Sequence, residues 1–245
     1  MTPKRFSILW QRIKYLASGN FHGVSGNWLS KNSTGIYSSI DIFVDFDPAN
    51  FDLDSKDLVR GKEVFKKVSK LKSGLNFGSN FDCEEGLACF LYAYILKSRP
   101  LIVIETGVAN GITTNVIMKA LENTGGSLHS FDVESKSHNV YQGLGSWTFH
   151  LLSGNLRGEF RKAVAQIGRV DLWIHDSNHG YSWQSYEYGL AQESLSTTGL
   201  LVSDDIDAST AWGLSKELFA ESYAIFDKRK FFGVAKLAKK EGQLR

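Results

Sequence analysis

The 245-residue sequence predicts a doubly wound α/β fold, with a seven-stranded, mostly parallel sheet covered by helices on both faces, a C-terminal antiparallel hairpin and an N-terminal helical extension. Three observations predict it. Short runs such as 101–104, 170–174 and 200–202 are so largely apolar that they read as strands buried on both faces. Segments of helical periodicity separate these runs, and crossovers of that length require parallel neighbours. Last, Tyr223-Ala-Ile-Phe226 and Phe231-Phe-Gly-Val-Ala235 are joined only by Asp227-Lys-Arg-Lys230, a link short enough to force an antiparallel pair on the sheet edge.

The elements follow in chain order. Residues 4–17 place Phe6, Leu9, Trp10, Ile13 and Leu16 on one helical face, with Lys4, Arg5, Arg12 and Lys14 elsewhere. Such a helix docks on its own or a second subunit, giving a homo-oligomer, or touches a membrane surface. The Gly-, Ser- and Asn-rich stretch 18–39 has no sustained period and reads as a loop or lid. Residues 55–72 and 83–97 read as helices, the second stopping before Pro100, which cannot continue it. Residues 1–99 therefore form N-terminal helices and a lid segment, and 100–245 the core, within one compact domain. Core strands are expected at 101–105, 127–132, 148–153, 170–175 and 199–204, with helices at 112–123, 157–167, 183–195 and 210–220.

Composition excludes several classes. A hydrophobic content of 42% suits one well-buried core. With 28 basic against 26 acidic residues, a net charge of +2 gives no field for gathering nucleic acid. Lys228-Arg-Lys230 and Lys236, Lys239 and Lys240 read as a solvated turn and tail. Cys83 and Cys89 are expected as free thiols in a reducing compartment. Phe6–Trp10 is too short for a signal peptide and Leu87–Leu96 too short to span a bilayer, so the expected location is the cytoplasm, with no transmembrane segment. Zinc spacings such as His-Glu-x-x-His or Cys-x-x-Cys are missing.

The carboxyl edge of a parallel sheet is where such folds place their chemistry. Between the first core strand and its helix lies Glu105-Thr-Gly107-Val-Ala109-Asn-Gly111, whose glycines let the backbone turn tightly and pass close to a ligand. The Gly-x-x-x-Gly spacing is not the Gly-x-Gly-x-x-Gly of dinucleotide binding, which disfavours a dehydrogenase. Asp132 ends the next strand, where doubly wound folds bind the two hydroxyls of a ribose; alone it could be a cap or a surface acid. Together these residues resemble the class I S-adenosylmethionine-dependent methyltransferases over residues 100–236. The resemblance implies that Glu105, Gly107, Ala109 and Gly111 hold the methionine portion and Asp132 the ribose. Asn155, in Ser153-Gly-Asn155 after the third strand, would border the adenine, although Asp is commoner there.

A second constellation is more specific. Ile174-His-Asp176-Ser-Asn-His179-Gly-Tyr181 and Gly199-Leu-Leu-Val-Ser-Asp204-Asp205-Ile put three carboxylates and an imidazole on one rim. They resemble the metal-dependent O-methyltransferases, including catechol and sugar-hydroxyl enzymes. The resemblance implies a magnesium-type ion on Asp176, Asp204 and Asp205, with Asp176 also bordering the cofactor and serving catalysis, and a small-molecule hydroxyl acceptor. Three oxygen ligands are what a hard cation takes. His179 stands where catechol-type relatives carry a lysine and many sugar-directed relatives a histidine. It is the candidate general base, since imidazole titrates near neutral pH. Asn178 departs from the sugar-directed pattern, which often has a second Asp there. Tyr181, Trp183 and Trp212 offer aromatic faces for a phenol or a sugar.

Simpler roles stay open at this point. The Asp204-Asp205 pair could be acids at a helix start, His179 could anchor its turn, and His175 suits a structural role. Two rival functions also fit: a metal-free methyltransferase acting on nitrogen or carboxylate, and a non-catalytic cofactor-binding module working through its N-terminal helix.

Overall fold

The computed structural model describes residues 24–44, 51–71, 75, 77–78 and 82–238. The amphipathic segment 4–17 and the basic tail at 239–240 lie outside them. Helices are α1 Gly26–Lys31, α2 Ser39–Val44, α3 Ser55–Val68, α4 Glu85–Ser98, α5 Ile112–Thr124, α6 Leu156–Ile167, α7 Tyr181–Ser194 and α8 Ala211–Leu214. Strands are β1 Gly35–Ser38, β2 Ile102–Thr106, β3 Ser127–Asp132, β4 Ser146–Leu151, β5 Val170–His175, β6 Leu195–Ser203, β7 Phe219–Asp227 and β8 Lys230–Leu237.

One eight-stranded sheet runs β1-β7-β8-β6-β5-β2-β3-β4. β2 to β6 are mutually parallel where paired, and β8 is antiparallel to both β6 and β7. The chain moves outward from β2 to β3 and β4, then returns to lay β5 and β6 on the other side of β2. The switch point therefore falls between the carboxyl ends of β2 and β5, the crevice where open α/β sheets bind ligands.

Side chains alternate between two cores, one on each face. Val103, Leu172, Ile174, Leu200, Val202 and Val234 face a layer containing α3, α4 and α5. Ile104, Trp173, Leu201 and Ala235 face the other, with Leu29, Phe160, Tyr188 and Trp212 from α1, α6, α7 and α8. This alternation is the strand period of two expressed as burial on both sides. α4 explains the longest apolar run of the sequence: Leu87 to Leu91 are all fully buried, because α3 and α5 pack beside it on the sheet. A helix apolar all round is stable only when covered all round. α3 is two-faced instead, burying Leu58 and Val68, and it starts where the Asp54 carboxylate accepts from Lys56 N–H at 2.7 Å.

Three expectations need correction. The 18–39 segment is not wholly loop, since its described part holds α1 and β1, and β1 pairs in parallel with β7 from Gly35↔Tyr223 to Ser38↔Phe226. The sheet thus has an eighth strand, and the C-terminal hairpin is covered by β1 and does not form the edge. The expected helix 210–220 is the single turn α8 and a 3-10 turn, because Phe219 already belongs to β7. Cys83 and Cys89 are free and buried. No helix among the described residues is long and apolar enough to cross a membrane.

Candidate active site

Strand ends build the first half of the rim. Glu105, the fourth residue of β2, has no exposed surface. Its Oε2 accepts from Thr114 Oγ1 on α5 at 2.8 Å and from Ser130 Oγ on β3 at 2.6 Å, while Oε1 has no hydrogen-bond partner among the described residues. Burial pushes its pKa up to about 7 against the pull of those two hydroxyls. Gly107 and Gly111 both have left-handed backbones, φ +82° and +79°. A Cβ on Gly107 would lie 2.0 Å from the Asp176 carbonyl oxygen, so glycine here lets β2 and β5 ends meet at the switch point. A Cβ on Gly111, the residue preceding α5, would lie 2.4 Å from the Val140 side chain. The close neighbour of each glycine is thus the protein's own chain.

Asp132 closes the same loop from β3. Its Oδ2 accepts from Val108 N–H at 2.7 Å and Ala109 N–H at 3.1 Å, and its Oδ1 from Glu134 N–H at 2.8 Å. Ala109 holds a left-handed backbone, φ 43°, under that clamp. Asn155 is exposed and caps α6, accepting from Gly158 N–H at 3.2 Å. Its side chain, like that of Asp132, thus has a structural task.

The second half comes from β5, β6 and β8. Asp176 N–H donates to the Thr106 carbonyl at 2.9 Å and Asp204 N–H to the His175 carbonyl at 2.8 Å, which ties the ends of β2, β5 and β6 into one rim. His179 bridges the acids there: its Nε2 lies 3.7 Å from Asp176 Oδ1 and its Nδ1 3.5 Å from Asp205 Oδ2. Asp205 turns toward it from a left-handed backbone, φ 47°. Burial, helped by neighbouring His175, pushes the His179 pKa down to about 3, so the ring is neutral at physiological pH. This departs from the expected titration near neutrality, because the turn partly shields the imidazole from water. Burial and the charge of Asp204 hold the Asp176 carboxyl well above the usual carboxylate range.

The rim also contains a residue read from sequence as solvated. Lys230 is only 7% exposed; its Nζ is hydrogen-bonded to Asp204 Oδ2 and lies 3.3 Å from Asp205 Oδ2. Although burial works against its charge, Asp204, Asp205 and Asp176 together hold its pKa well above the ordinary lysine value. β8 runs antiparallel to β6, so the first residue after the β7–β8 turn is delivered to the carboxyl end of β6. That topology was the available signal, and the basic run Lys228-Arg-Lys230 obscured it. Arg229 and Lys228 pair with Glu84 at 2.5 and 3.6 Å.

Beneath the rim, Glu187 on α7 was missed by sequence reasoning altogether. It accepts from Thr106 Oγ1 at 2.7 Å, Ser177 Oγ at 2.7 Å, His175 Nδ1 at 2.8 Å and Trp183 Nε1. His175 is fully buried in this cluster, in keeping with a structural role. Of the aromatic faces expected at the site, Trp212 is fully buried and packs on Tyr188 and Phe219, and Trp183 is anchored to Glu187. Tyr181, 51% exposed, is the one free to meet a ligand.

Residues 104–206, which contain both halves of this rim, match the family model described as a methyltransferase domain. The segment is thus similar to methyltransferase domains. No curated protein matches the sequence. Among solved structures, the methyltransferase PaMTH1 of Podospora anserina, bound to S-adenosylhomocysteine, is 9% identical with a TM-score of 0.50, covering 94% of this chain and 96% of its own. TomG of Streptomyces achromogenes, an O-methyltransferase of tomaymycin synthesis solved with S-adenosylmethionine, is 10% identical with a TM-score of 0.50, over 83% and 97%. MycE of the mycinamycin biosynthetic pathway, solved with Mg, S-adenosylhomocysteine and mycinamycin VI, is 15% identical with a TM-score of 0.54. That match covers 76% of this chain and 56% of MycE, so this chain spans little more than half of that enzyme. At such identities the likeness is one of fold.

Proposed function

We propose that this methyltransferase domain methylates a hydroxyl oxygen of a small molecule, with His179 as the base that takes the hydroxyl proton. The observation that carries the reading is the part-buried His179 held between Asp176 and Asp205 at the switch-point rim. Nε2 is a buried atom with no hydrogen-bond partner among the described residues, and with the ring proton on Nδ1, which lies 3.5 Å from Asp205 Oδ2, it would keep its lone pair. A hydroxyl is a poor nucleophile until that proton leaves, so a base at the acceptor oxygen is the chemistry required. Tyr181 would lie beside the acceptor.

Bound S-adenosylmethionine supplies an electrophilic methyl on a sulfonium. Glu105 suits its methionine portion, because a fully buried carboxylate with one unpartnered oxygen is stabilised by an incoming ammonium. Asp132 would serve the ribose, and Gly107, Ala109 and Gly111 shape the loop between them. Asn155 would border the adenine while capping α6.

Asp176, Asp204 and Asp205 have the hard oxygens of a magnesium site, as the resemblance implies. Their arrangement fits such an ion poorly: Asp204 and Asp205 already share the Lys230 ammonium. Among the described residues no group of three His, Cys, Asp or Glu side chains is arranged to hold a metal. With Lys230 already on these acids, the proposed reaction handles proton and charge with the protein's own groups.

Screening hydroxyl compounds with methyl-labelled S-adenosylmethionine tests the reading. We expect label on an acceptor oxygen, and His179→Ala to bind S-adenosylhomocysteine normally while transferring methyl roughly 10²- to 10⁴-fold more slowly. Label on nitrogen or carboxylate alone, or an Ala variant with ordinary turnover, rejects it.

A further inference from the structure

Asp204 is 1% exposed, and a buried carboxylate needs a positive partner. At this rim that partner is Lys230, delivered by the antiparallel register of β8 and bonded to both members of the Asp204-Asp205 pair. An ammonium has three donors. Two are directed at these carboxylates, and among the described residues the third has no hydrogen-bond partner. A divalent ion on the same acids would stand beside this fixed charge, and the mutual repulsion in a poorly solvated site would be large.

We propose that Lys230 is the resident cation of the rim, occupying with its ammonium the place a divalent ion would take on Asp204 and Asp205 and presenting positive charge to the acceptor oxygen. This rests on reading the rim as the acceptor site. A preorganised ammonium stabilises oxygen as it loses its proton to His179, in the way fixed donors stabilise developing anions elsewhere. It also explains why a lysine is buried among acids at the end of a hairpin whose other two basic residues pair with Glu84.

The test uses the full chain with Mn²⁺ as probe, followed by electron paramagnetic resonance, and S-adenosylhomocysteine calorimetry alongside. The wild type should leave Mn²⁺ unbound up to ~1 mM, the weak end of the range spanned by built oxygen-ligand sites. Lys230→Met should bind Mn²⁺ on the order of 10²-fold more tightly, the scale on which a buried charge suffers from losing its partner. Adding Asp204→Asn should abolish the gain. Micromolar Mn²⁺ binding by the wild type overturns the proposal, and so does a folded Lys230→Met chain that gains none. Should that variant fail to fold, the wild-type titration alone decides. Absence of S-adenosylhomocysteine binding by the wild type would instead count against the methyltransferase reading, leaving the Mn²⁺ result to judge Lys230.

Discussion

Glu105 and Glu187 are both fully buried glutamates a few residues from the same rim, and their acidities move in opposite directions. Glu105 has two hydroxyl donors, an unpartnered oxygen and the nearby charge of Asp132, and burial carries it up to about 7. Glu187 suffers the same burial, yet His175 and the donors Ser177 and Thr106 outweigh it and hold its pKa below the usual value. Burial alone therefore says little about a carboxylate. A charged partner together with the number of donors decides whether it is a finished part of the scaffold, as Glu187 is, or a group still short of a partner, as Glu105 is.

The largest expected effect would come from undoing the finished cluster. Glu187→Ala strands three donors and an imidazole under the rim and should cost about 3–5 kcal/mol of stability in urea unfolding, the usual loss when a buried charge network is broken. A loss near zero would mean that the cluster is not what holds α7 to the rim. Because the folded pKa of Glu187 is lowered, its contribution is present above the unfolded carboxylate pKa and should disappear as pH falls below it.

Glu105 carries the opposite sign. Its folded pKa of about 7 exceeds the ordinary glutamate value of 4.5, so its contribution is fully present below pH 4.5 and lost as pH rises through 7. Glu105→Gln should therefore raise stability at pH 8 by up to about 3 kcal/mol, at 1.36 kcal/mol per pKa unit. It should at the same time weaken S-adenosylhomocysteine binding. In the wild type that binding should tighten as pH rises from 6 to 8, with proton release detectable by calorimetry in buffers of different ionisation heat. Stability gained without loss of affinity would show that Glu105 waits for no ligand.

Asp132 lies between these extremes, since its three N–H donors come from the loop itself. Asp132→Asn keeps acceptors and should cost only about 1 kcal/mol, a typical net hydrogen-bond contribution; a far larger loss in thermal unfolding would make it scaffold in the manner of Glu187. Smallest of all, Tyr181→Ala should change stability by no more than ~0.5 kcal/mol, as exposed positions do. Any marked effect of Tyr181→Ala is expected in acceptor KM.

The strand–helix alternation of residues 100–236, the glycine loop and the acids at strand ends were legible in sequence, because uniformly apolar strands and tight turns are local properties of the chain. Core boundaries accordingly fell within a few residues, as at 170–175 and 127–132. β1 was not legible: four residues among glycines and serines have no period of their own and become a strand only because β7 offers its edge. Trp212 looked like a ligand face because its partners, Tyr188 and Phe219, lie far from it in sequence or on another element. Sequence alone determined which acids and which imidazole reach the carboxyl rim, since that follows from where strands end. Only the tertiary structure decided their states: the pairing of β8 with β6 set Lys230 against Asp204 and Asp205, and packing of α7 buried Glu187 and His175, for charge and burial are set by neighbours in space.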